Sequence, residues 1–395
     1  TDSKATAGVG TGFSIAPDGS GVAFFAQNAS QYGNNGTAFI DAYTSLTDII
    51  WWDKFTGVQQ LVTHNQTAGN INSTLSTNST MWGVPADGSG LVFSNNDATQ
   101  LGNNGVAFTD ALNTSTDLFF WDKTTGTLQL ITHSSASGNT ASAATSSSSF
   151  NAISADSAVA VVFSNVDARN FGNSGAAFTD AGVASTDLFY WDKATGTQQL
   201  ISHGSAAGNI TTAKTTANST LNAISPDGSG VVFSQVDVSK FGNSGTPFTD
   251  ADTGSTDLLW WDKATGVLRL ITHSSAMGNS DSAALANSGY NAISADGTAV
   301  VFNNVDATKF GNNGTAFTGA GAGVADLFWW DKATGVQQLI THSSAAGNSA
   351  SAATAASGFN AISADNSAVV FSNANATQFG NNGTAFTDAG TTITD

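Results

Sequence analysis

Short, continuous apolar runs bounded by turn residues recur along the whole chain. In the segment 150–203, the runs NAIS and AVVFS flank a turn around Asp156, and the runs DLFYWD and TQQLISH flank the turn Lys193–Gly196. A short apolar run between turns is typical of a strand that is buried on both faces. The segment therefore predicts two hairpins, with an irregular stretch rich in Asn and Gly between them.

The same order of runs returns at a regular interval. The Trp-Asp pair that closes the third run has spacings of 69, 70, 70 and 69 residues, and it lies at Trp52-Asp53, Trp121-Asp122, Trp191-Asp192, Trp261-Asp262 and Trp330-Asp331. Counted from the first strand, the units begin near residues 12, 81, 150, 221, 290 and 359. The sixth unit stops at Asp395, where the other units open their second hairpin.

Four strands a unit, repeated about six times, predict an all-β fold. We expect one β-propeller domain over residues 1–395, with about six four-stranded blades of about 70 residues and an incomplete last blade. A solenoid is the rival fold, but solenoids use shorter repeats with more regular strands. The sixth unit leaves three interpretations open: a fragment of a longer protein, a thin last blade, or self-association in which another chain supplies the missing strands.

Two runs carry a family resemblance. ISPDGSGVVFS at Ile224–Ser234 and DLLWWDKATGVLRLIT at Asp257–Thr272 resemble the repeat of bacterial TolB-like (WD-repeat-like) β-propellers, in the SPDG turn and in the D-x-x-T-G hairpin. The resemblance implies the fold and says little about function, because such propellers serve as binding modules, enzyme accessories and structural parts. The units here exceed the usual length of roughly 40–45 residues. The extra length lies in two loops, where we expect the specific function.

Charge narrows the choice of partners. The formal net charge is −18, all 29 acidic residues are Asp, and there are only 11 Lys and Arg residues. Nucleic acid and anionic lipid both require clustered basic residues, so neither is an expected partner. No apolar run reaches the roughly 18–20 residues of a membrane helix, so no membrane insertion is expected. A cation is the natural complement of such a chain.

The long loop between the hairpins carries a repeated Asp pattern. Hard oxygen ligands of this kind are what Ca²⁺ selects, so the pattern predicts calcium as a possible cofactor that orders the loops. The alternative is that these side chains cap turns by bonding to backbone amides. The candidate metal ligands are Asp97, Asp110, Asp117, Asp167, Asp180, Asp187, Asp237, Asp250, Asp257, Asp306 and Asp326.

Aromatic residues and histidines also recur once or twice a unit. Adjacent rings in a strand face opposite sides, so pairs such as Trp51-Trp52 are expected to pack between blades, or else to expose one ring for sugar stacking. Trp82 breaks the pattern and marks a distinct spot. One His follows the last strand of each complete unit, and this regularity predicts a bond to a neighbouring loop rather than a ligand role.

The near-identical loops argue against one asymmetric active site. We therefore expect a non-enzymatic, structural or adhesive propeller that is secreted or lies at the cell surface, with itself, other surface components or glycans as partners. Two alternatives come from other classes. One is a carbohydrate-active hydrolase or lyase that uses Asp residues, and the other is a glycan- or peptide-binding module.

Overall fold

The computed structural model describes residues 9–112, 114–143, 147–156, 159–173, 175–181, 185–213, 218–243, 245–283, 287–319, 323–352, 357–381 and 383–387. Its regular structure consists of antiparallel sheets and short 3-10 helices. The chain divides into two compact units, Thr1–Leu200 and Ile201–Asp395. Among the described residues, no helix has both the length and the apolar character needed to cross a membrane.

The first compact unit contains three four-stranded antiparallel sheets, one for each of the first three repeats. Within every sheet the spatial order of the strands is their order in the chain, so each repeat is a meander. The strands of the first repeat are Val9–Ile15, Gly21–Ala26, Asp48–Asp53 and Gln59–Leu61. Those of the second are Thr80–Gly83, Gly90–Asn95, Asp117–Asp122 and Thr127–Leu130. Those of the third are Ser149–Ile153, Ala160–Asn165, Asp187–Asp192 and Thr197–Leu200.

The second compact unit has two further meanders and one hairpin. The strands of the fourth repeat are Thr220–Ile224, Gly230–Gln235, Asp257–Asp262 and Leu268–Leu270. Those of the fifth are Gly289–Ile293, Ala299–Asn304, Asp326–Asp331 and Gln337–Leu339. In the sixth repeat the described residues form the first hairpin, Gly358–Ile362 with Val369–Ser372. Residues 388–395, which include Asp395, lie outside the described residues.

The second and third strands of the second, third and fourth repeats have both faces covered, whereas Trp52 on the third strand of the first repeat is 36% exposed. In the second repeat, Leu91 and Phe93 join a core with Trp51 of the first repeat, whereas Val92 and Phe120 join a core with residues of the third repeat. Alternate side chains of one strand thus pack against two different neighbours. This arrangement explains why these strands are continuous apolar runs rather than alternating ones.

The stretch between the two hairpins is more regular than its composition predicts. In the second repeat it begins with a 3-10 helix, Ala98–Gln100, and continues as a two-residue hairpin, Gly102–Asn103 with Val106–Ala107. Equivalent helices precede the small hairpin in the other repeats, and they are Ala29–Gln31, Ala168–Asn170, Val238–Lys240, Ala307–Lys309 and Ala376–Gln378. One further 3-10 helix, Ala207–Asn209, lies after the fourth strand of the third repeat.

The small hairpin of the second repeat also has equivalents in the other repeats. They are Gly33–Asn34 with Thr37–Ala38, Gly172–Asn173 with Ala176–Ala177, Gly242–Asn243 with Thr246–Pro247, Gly311–Asn312 with Thr315–Ala316, and Gly380–Asn381 with Thr384–Ala385. A short parallel pair, Ile40–Asp41 with Asn72–Ser73, joins two loops of the first repeat.

Repeated four-stranded antiparallel sheets confirm the predicted all-β architecture of propeller blades, about 70 residues to a repeat. Both predicted hairpins of the repeat are present, in the predicted order.

Candidate ligand-binding cavities between repeats

An aromatic ring of one repeat packs on a ring of the next. The Trp51 and Trp121 centroids are 5.9 Å apart, and Trp260 and Trp330 are separated by 6.0 Å. In each case the first ring lies two residues before the Asp that closes the third strand, and its partner lies directly before the closing Asp, one repeat later. All four side chains are fully buried. The prediction that these rings pack between blades is confirmed.

A lysine of the following repeat covers the same ring. Lys123 Nζ lies 5.3 Å from the Trp51 centroid and 3.2 Å from Asp53 Oδ2. Lys332 is equivalent, with its ammonium over Trp260 and 3.5 Å from Asp262. Each lysine therefore joins a cation–π contact to an ion pair across one junction between repeats.

A histidine and an asparagine bond to one carbonyl across the junction. His64 Nε2 lies 2.9 Å from Gly126 O, and Asn70 Nδ2 donates to that same oxygen at 2.7 Å. The imidazole Nδ1 faces a second carbonyl, Asn65 O, at 3.3 Å. Asn70 adopts a left-handed backbone with φ of 52°, a conformation that Asn tolerates and that directs its amide to the next repeat.

This His-Asn clamp is present at four described junctions. The other three are His133 and Asn139 on Gly196 O, His203 and Asn209 on Gly266 O, and His273 and Asn279 on Gly335 O. The predicted bond from His to a neighbouring loop is therefore confirmed. Burial lowers the pKa of these histidines, and the facing carbonyls oppose that effect.

A second asparagine covers the edge of each fourth strand. Asn103 Nδ2 donates to Leu128 O at 2.9 Å, while Leu128 N donates to Asn103 Oδ1 at 2.7 Å. One amide side chain thus supplies the pair of bonds that another strand would make. Asn243 and Leu268 repeat the arrangement in the fourth repeat.

These parts enclose a cavity at three junctions. The wall consists of the fourth strand, the edge-covering Asn and a Gly-Asn loop of one repeat, and the opposite side consists of a Trp and the Thr-Gly turn of the next repeat. The first cavity lies between repeats one and two and has a volume of about 290 Å³. The second lies between repeats two and three, at about 320 Å³. The third lies between repeats four and five, at about 430 Å³.

Each cavity is lined by a fully buried tryptophan whose indole nitrogen has no acceptor among the described residues. These tryptophans are Trp121, Trp191 and Trp330. Within the same part of the chain, the buried Oδ1 atoms of Asn70 and Asn279 accept no hydrogen bond, and both asparagines line cavities. A buried donor or acceptor without a partner is costly. The indoles of Trp51 and Trp260 also lack an acceptor among the described residues, although neither lines these three cavities, and all of these atoms are closed off from water. The unpartnered atoms are therefore a feature of the packing between repeats.

The cavities differ in charge. The lining of the first cavity contains no charged side chain. Lys193 lines the second cavity, but its ammonium is 2.7 Å from Asp122 Oδ2. Arg269 lines the third, where its guanidinium donates to the main-chain oxygen of Lys332. Sequence reasoning missed the cavities because the lining residues are far apart in the chain, although the repeated Gly-Asn after each His was visible.

The predicted calcium ligands fall into three structural groups. In the first group the Asp caps the 3-10 helix: Asp97 Oδ1 accepts from Thr99 N at 3.0 Å and from its hydroxyl at 2.5 Å. Asp167, Asp237 and Asp306 occupy the same capping position. In the second group the Asp bonds to the first amide of that helix: Asp110 Oδ2 accepts from Ala98 N at 2.9 Å. Asp180 and Asp250 bond in the same way to Ala168 and Val238.

The third group opens the third strand and is buried. Asp117 Oδ1 accepts hydrogen bonds from Thr132 Oγ1 at 3.0 Å and Ser142 Oγ at 2.7 Å. Burial raises the pKa of Asp117 to about 7, against the hydrogen bonds that lower it. The same cause raises the pKa of Asp48 and Asp257 to about 7 and raises that of Asp326. Asp187 is equally buried in the third repeat. These carboxyls do not line the three cavities.

Turn capping and hydroxyl bonding therefore account for the contacts described above for these carboxylates. No group of three or more His or Asp among the described residues is placed to bind a metal ion. Calcium binding stays a prediction.

Trp82, singled out in the sequence, differs from the junction tryptophans. Its side chain is 45% exposed and stacks on Phe150 with centroids 5.8 Å apart. Its Nε1 donates to Ser94 Oγ at 3.0 Å. The indole is therefore a surface group with its hydrogen bond already made.

Sheet order and the conserved geometry of each junction define an all-β repeat protein of the β-propeller class. No family model matches the chain, and no curated protein matches its sequence. Solved structures do match. A protein assigned as TolB from Agrobacterium tumefaciens is 13% identical, with a TM-score of 0.29 over 83% of this chain and 78% of that one. An oligogalacturonate lyase in complex with manganese is 13% identical, with a TM-score of 0.23 over 82% and 74% of the two chains.

A third similar structure is an acylaminoacyl peptidase from Pyrococcus horikoshii. It is 14% identical, with a TM-score of 0.25 over 84% of this chain and 44% of that one. The similar structures include a lyase and a peptidase, contrary to the prediction of a non-enzymatic structural or adhesive protein, which is therefore not carried further. At these identities the likeness concerns the fold alone, and the activities are those of the named proteins.

Proposed function

We propose that the chain is a glycan-binding propeller whose cavities between repeats each take a sugar unit, and that its repeat belongs to the TolB-like type. The observation that carries the proposal is the lining shared by the three cavities, in which asparagine amides and threonine hydroxyls lie beside a Phe and a Trp side chain. A hydroxyl group both donates and accepts hydrogen bonds, so a sugar matches the donors and the acceptors of such a lining.

Size and lining support the same ligand class. The volumes, from about 290 to about 430 Å³, lie near the lower end of the roughly 300–1,000 Å³ range of small-molecule sites. The first cavity is lined by neutral amides, Thr hydroxyls and the rings of Phe39 and Trp121. Neutral polar groups beside aromatic rings suit a polyhydroxylated ligand, which is apolar on the faces of its ring and polar around its edge.

The indole N–H groups provide a direct test. We expect neutral oligosaccharides from a panel of β-glucans, xylans and α-glucans to shift the ¹⁵N-indole NMR signals of Trp121, Trp191 and Trp330. The Trp82 signal is the internal control, because that indole already donates to Ser94. Trp121→Phe keeps an aromatic ring but shortens this wall of the first cavity, and it should weaken binding at that cavity only.

If no sugar in the panel moves the three signals, the proposal fails. Chromatography of the same mixtures checks for new products. Turnover of a bound oligosaccharide would place the chain among the carbohydrate-active hydrolases or lyases, the enzyme alternative expected from the sequence. Secretion or a location at the cell surface stays a prediction of the same interpretation.

A further inference from the structure

The third cavity departs from the repeat at one position. Arg269 lies between Leu268 and Leu270 in the fourth strand of its repeat, directly opposite Trp260. The equivalent residue in the other complete repeats is Gln, at Gln60, Gln129, Gln199 and Gln338. The third cavity is also the largest of the three, at about 430 Å³.

Arg269 is exposed and has no carboxylate within ion-pair distance in the described part of the chain. The contrast with the other arginine is sharp, since Arg169 makes a two-pronged pair with Asp167 at 2.9 Å for both bonds. The hydrogen bond from Arg269 to Lys332 O uses one of the five N–H donors of the Arg269 guanidinium and fixes that group at the cavity. An unpaired arginine is an outlier in a chain with 29 Asp and a net charge of −18.

We propose that the third cavity binds a glycan unit bearing a carboxylate, that is, a uronic acid. The Arg269 guanidinium pairs with the carboxylate, and the sugar ring lies against the aromatic and amide wall of the cavity. The planar guanidinium matches a carboxylate with two parallel bonds, which a Gln amide cannot offer with charge. This inference rests on the proposed function in that the same cavity receives the sugar.

A matched pair of ligands isolates the carboxylate. Methyl β-glucuronide and methyl β-glucoside differ only at C6, and each is titrated into the full chain while the Trp330 indole signal is followed. We expect the glucuronide to bind about tenfold more tightly at low salt, the ratio expected of one charge-assisted pair. The advantage should shrink as salt is added, because the pair lies at an exposed side chain.

Two variants introduce a residue that another repeat already has at the same position, so we expect both of them to fold. Arg269→Gln installs the residue that the four other complete repeats carry, and it should abolish the glucuronide preference at the Trp330 signal while glucoside binding at the first and second cavities, followed at Trp121 and Trp191, is unchanged. Arg269→Lys keeps the charge but loses the planar fork, so it should retain part of the preference. Gln129→Arg, in the second cavity, should create a glucuronide preference at the Trp191 signal.

The outcomes separate the two proposals. If the glucoside moves the signals of Trp121 and Trp191 but Trp330 shows no glucuronide preference, the uronate inference is overturned and glycan binding stands. If the glucuronide alone moves Trp330 and no neutral sugar binds anywhere, the carboxylate site stands and the general glycan proposal fails. A preference that survives in Arg269→Gln would also overturn the inference.

Discussion

Two aspartates at opposite ends of one strand have pKa values that are shifted in opposite directions. Asp117 opens the strand Asp117–Asp122 and is buried beneath Thr132 and Ser142, so burial raises its pKa to about 7. Asp122 closes the same strand. Burial works to raise its pKa too, but the Lys193 ammonium and the turn amide of Thr125 outweigh burial and lower it. The sequence does not distinguish the two residues, because only the fold determines which carboxylate lies beside a lysine.

The first prediction concerns Asp117→Asn. The folded protein binds the Asp117 proton more tightly than the unfolded chain does, so its stability contribution is complete below pH 3.8 and is lost as the pH rises through about 7. Asn remains neutral and still accepts from Thr132 and Ser142, so the variant should gain stability at pH 8, on the order of a few kcal/mol at most. Urea midpoints between pH 4 and pH 9 measure this.

Asp122→Asn is the matched control, with the opposite sign. The lowered pKa of Asp122 means that its contribution is present above pH 3.8 and is lost as the pH falls through the folded value. The control variant should therefore lose stability at neutral pH, by about 1 kcal/mol for this partly exposed pair. Equal pH profiles for the two variants would contradict the assignment.

The second prediction concerns the His-Asn clamp. Burial lowers the pKa of His133, so the clamp is stabilising above the unfolded pKa of 6.5 and weakens as the pH falls through the folded value. Buried carboxyls such as Asp117 have the opposite slope, so the comparison is with the wild type: as the pH falls from 6.5 to 5, we expect the urea midpoint of His133→Gln to rise relative to that of the wild type. Gln keeps a donor for Gly196 O but does not titrate. A slope that is unchanged in the variant would show that other groups cause it.

At the element scale, each fourth strand ends its sheet against an amide side chain instead of another strand. Asn103 satisfies one N–H and one C=O of Leu128, which blunts the edge toward other chains. The hairpins could be predicted from apolar runs and turn residues. The role of the Asn could not, because Asn in such a loop is equally compatible with a turn, and its partner lies 25 residues away.

The third prediction tests this edge. Asn103→Ala removes two hydrogen bonds and should cost about 1–3 kcal/mol of unfolding free energy. Asn103→Asp keeps the acceptor for Leu128 N but sets a carboxylate oxygen against Leu128 O, so the second hydrogen bond is replaced by a repulsion. Hydrogen exchange of the Leu128 amide is the local measurement, and it should speed up in the Ala variant and less in the Asp variant. Equal protection in both would assign the stability to the loop backbone.

At the scale of the whole molecule, the repeat could be predicted from the sequence and the cavities could not. The Trp-Asp spacing indicates the length and number of the repeats, and the apolar runs between turns indicate the strands of each repeat. Each cavity needs residues from two repeats, such as Asn70 with Trp121, and the sequence does not show which side chains face each other across a junction. The Arg269 exception is visible once the repeats are aligned, but its meaning depends on the cavity.

The fourth prediction follows from the net charge of −18. Self-repulsion among so many carboxylates destabilises the compact state, and salt screens it, so the melting midpoint should rise with NaCl at pH 8. Differential scanning fluorimetry in NaCl and in CaCl₂ of equal ionic strength separates screening from binding. A further rise in CaCl₂ that a chelator reverses would support the predicted calcium sites. Equal midpoints would leave the carboxylates as turn caps.

The junction between repeats has a consequence for how such a gene changes length. Trp51 packs on Trp121, and Phe120 packs on Trp191 with centroids 5.9 Å apart, so each repeat presents the same kind of outgoing ring and the same kind of incoming ring. Unequal recombination between two near-identical coding segments would remove one repeat and bring Trp51 against Trp191. The new neighbours would be of types that already meet elsewhere in the chain. The number of repeats can therefore change by whole units without a new interface having to evolve. A single altered repeat, such as the one with Arg269, can be gained or lost as a unit.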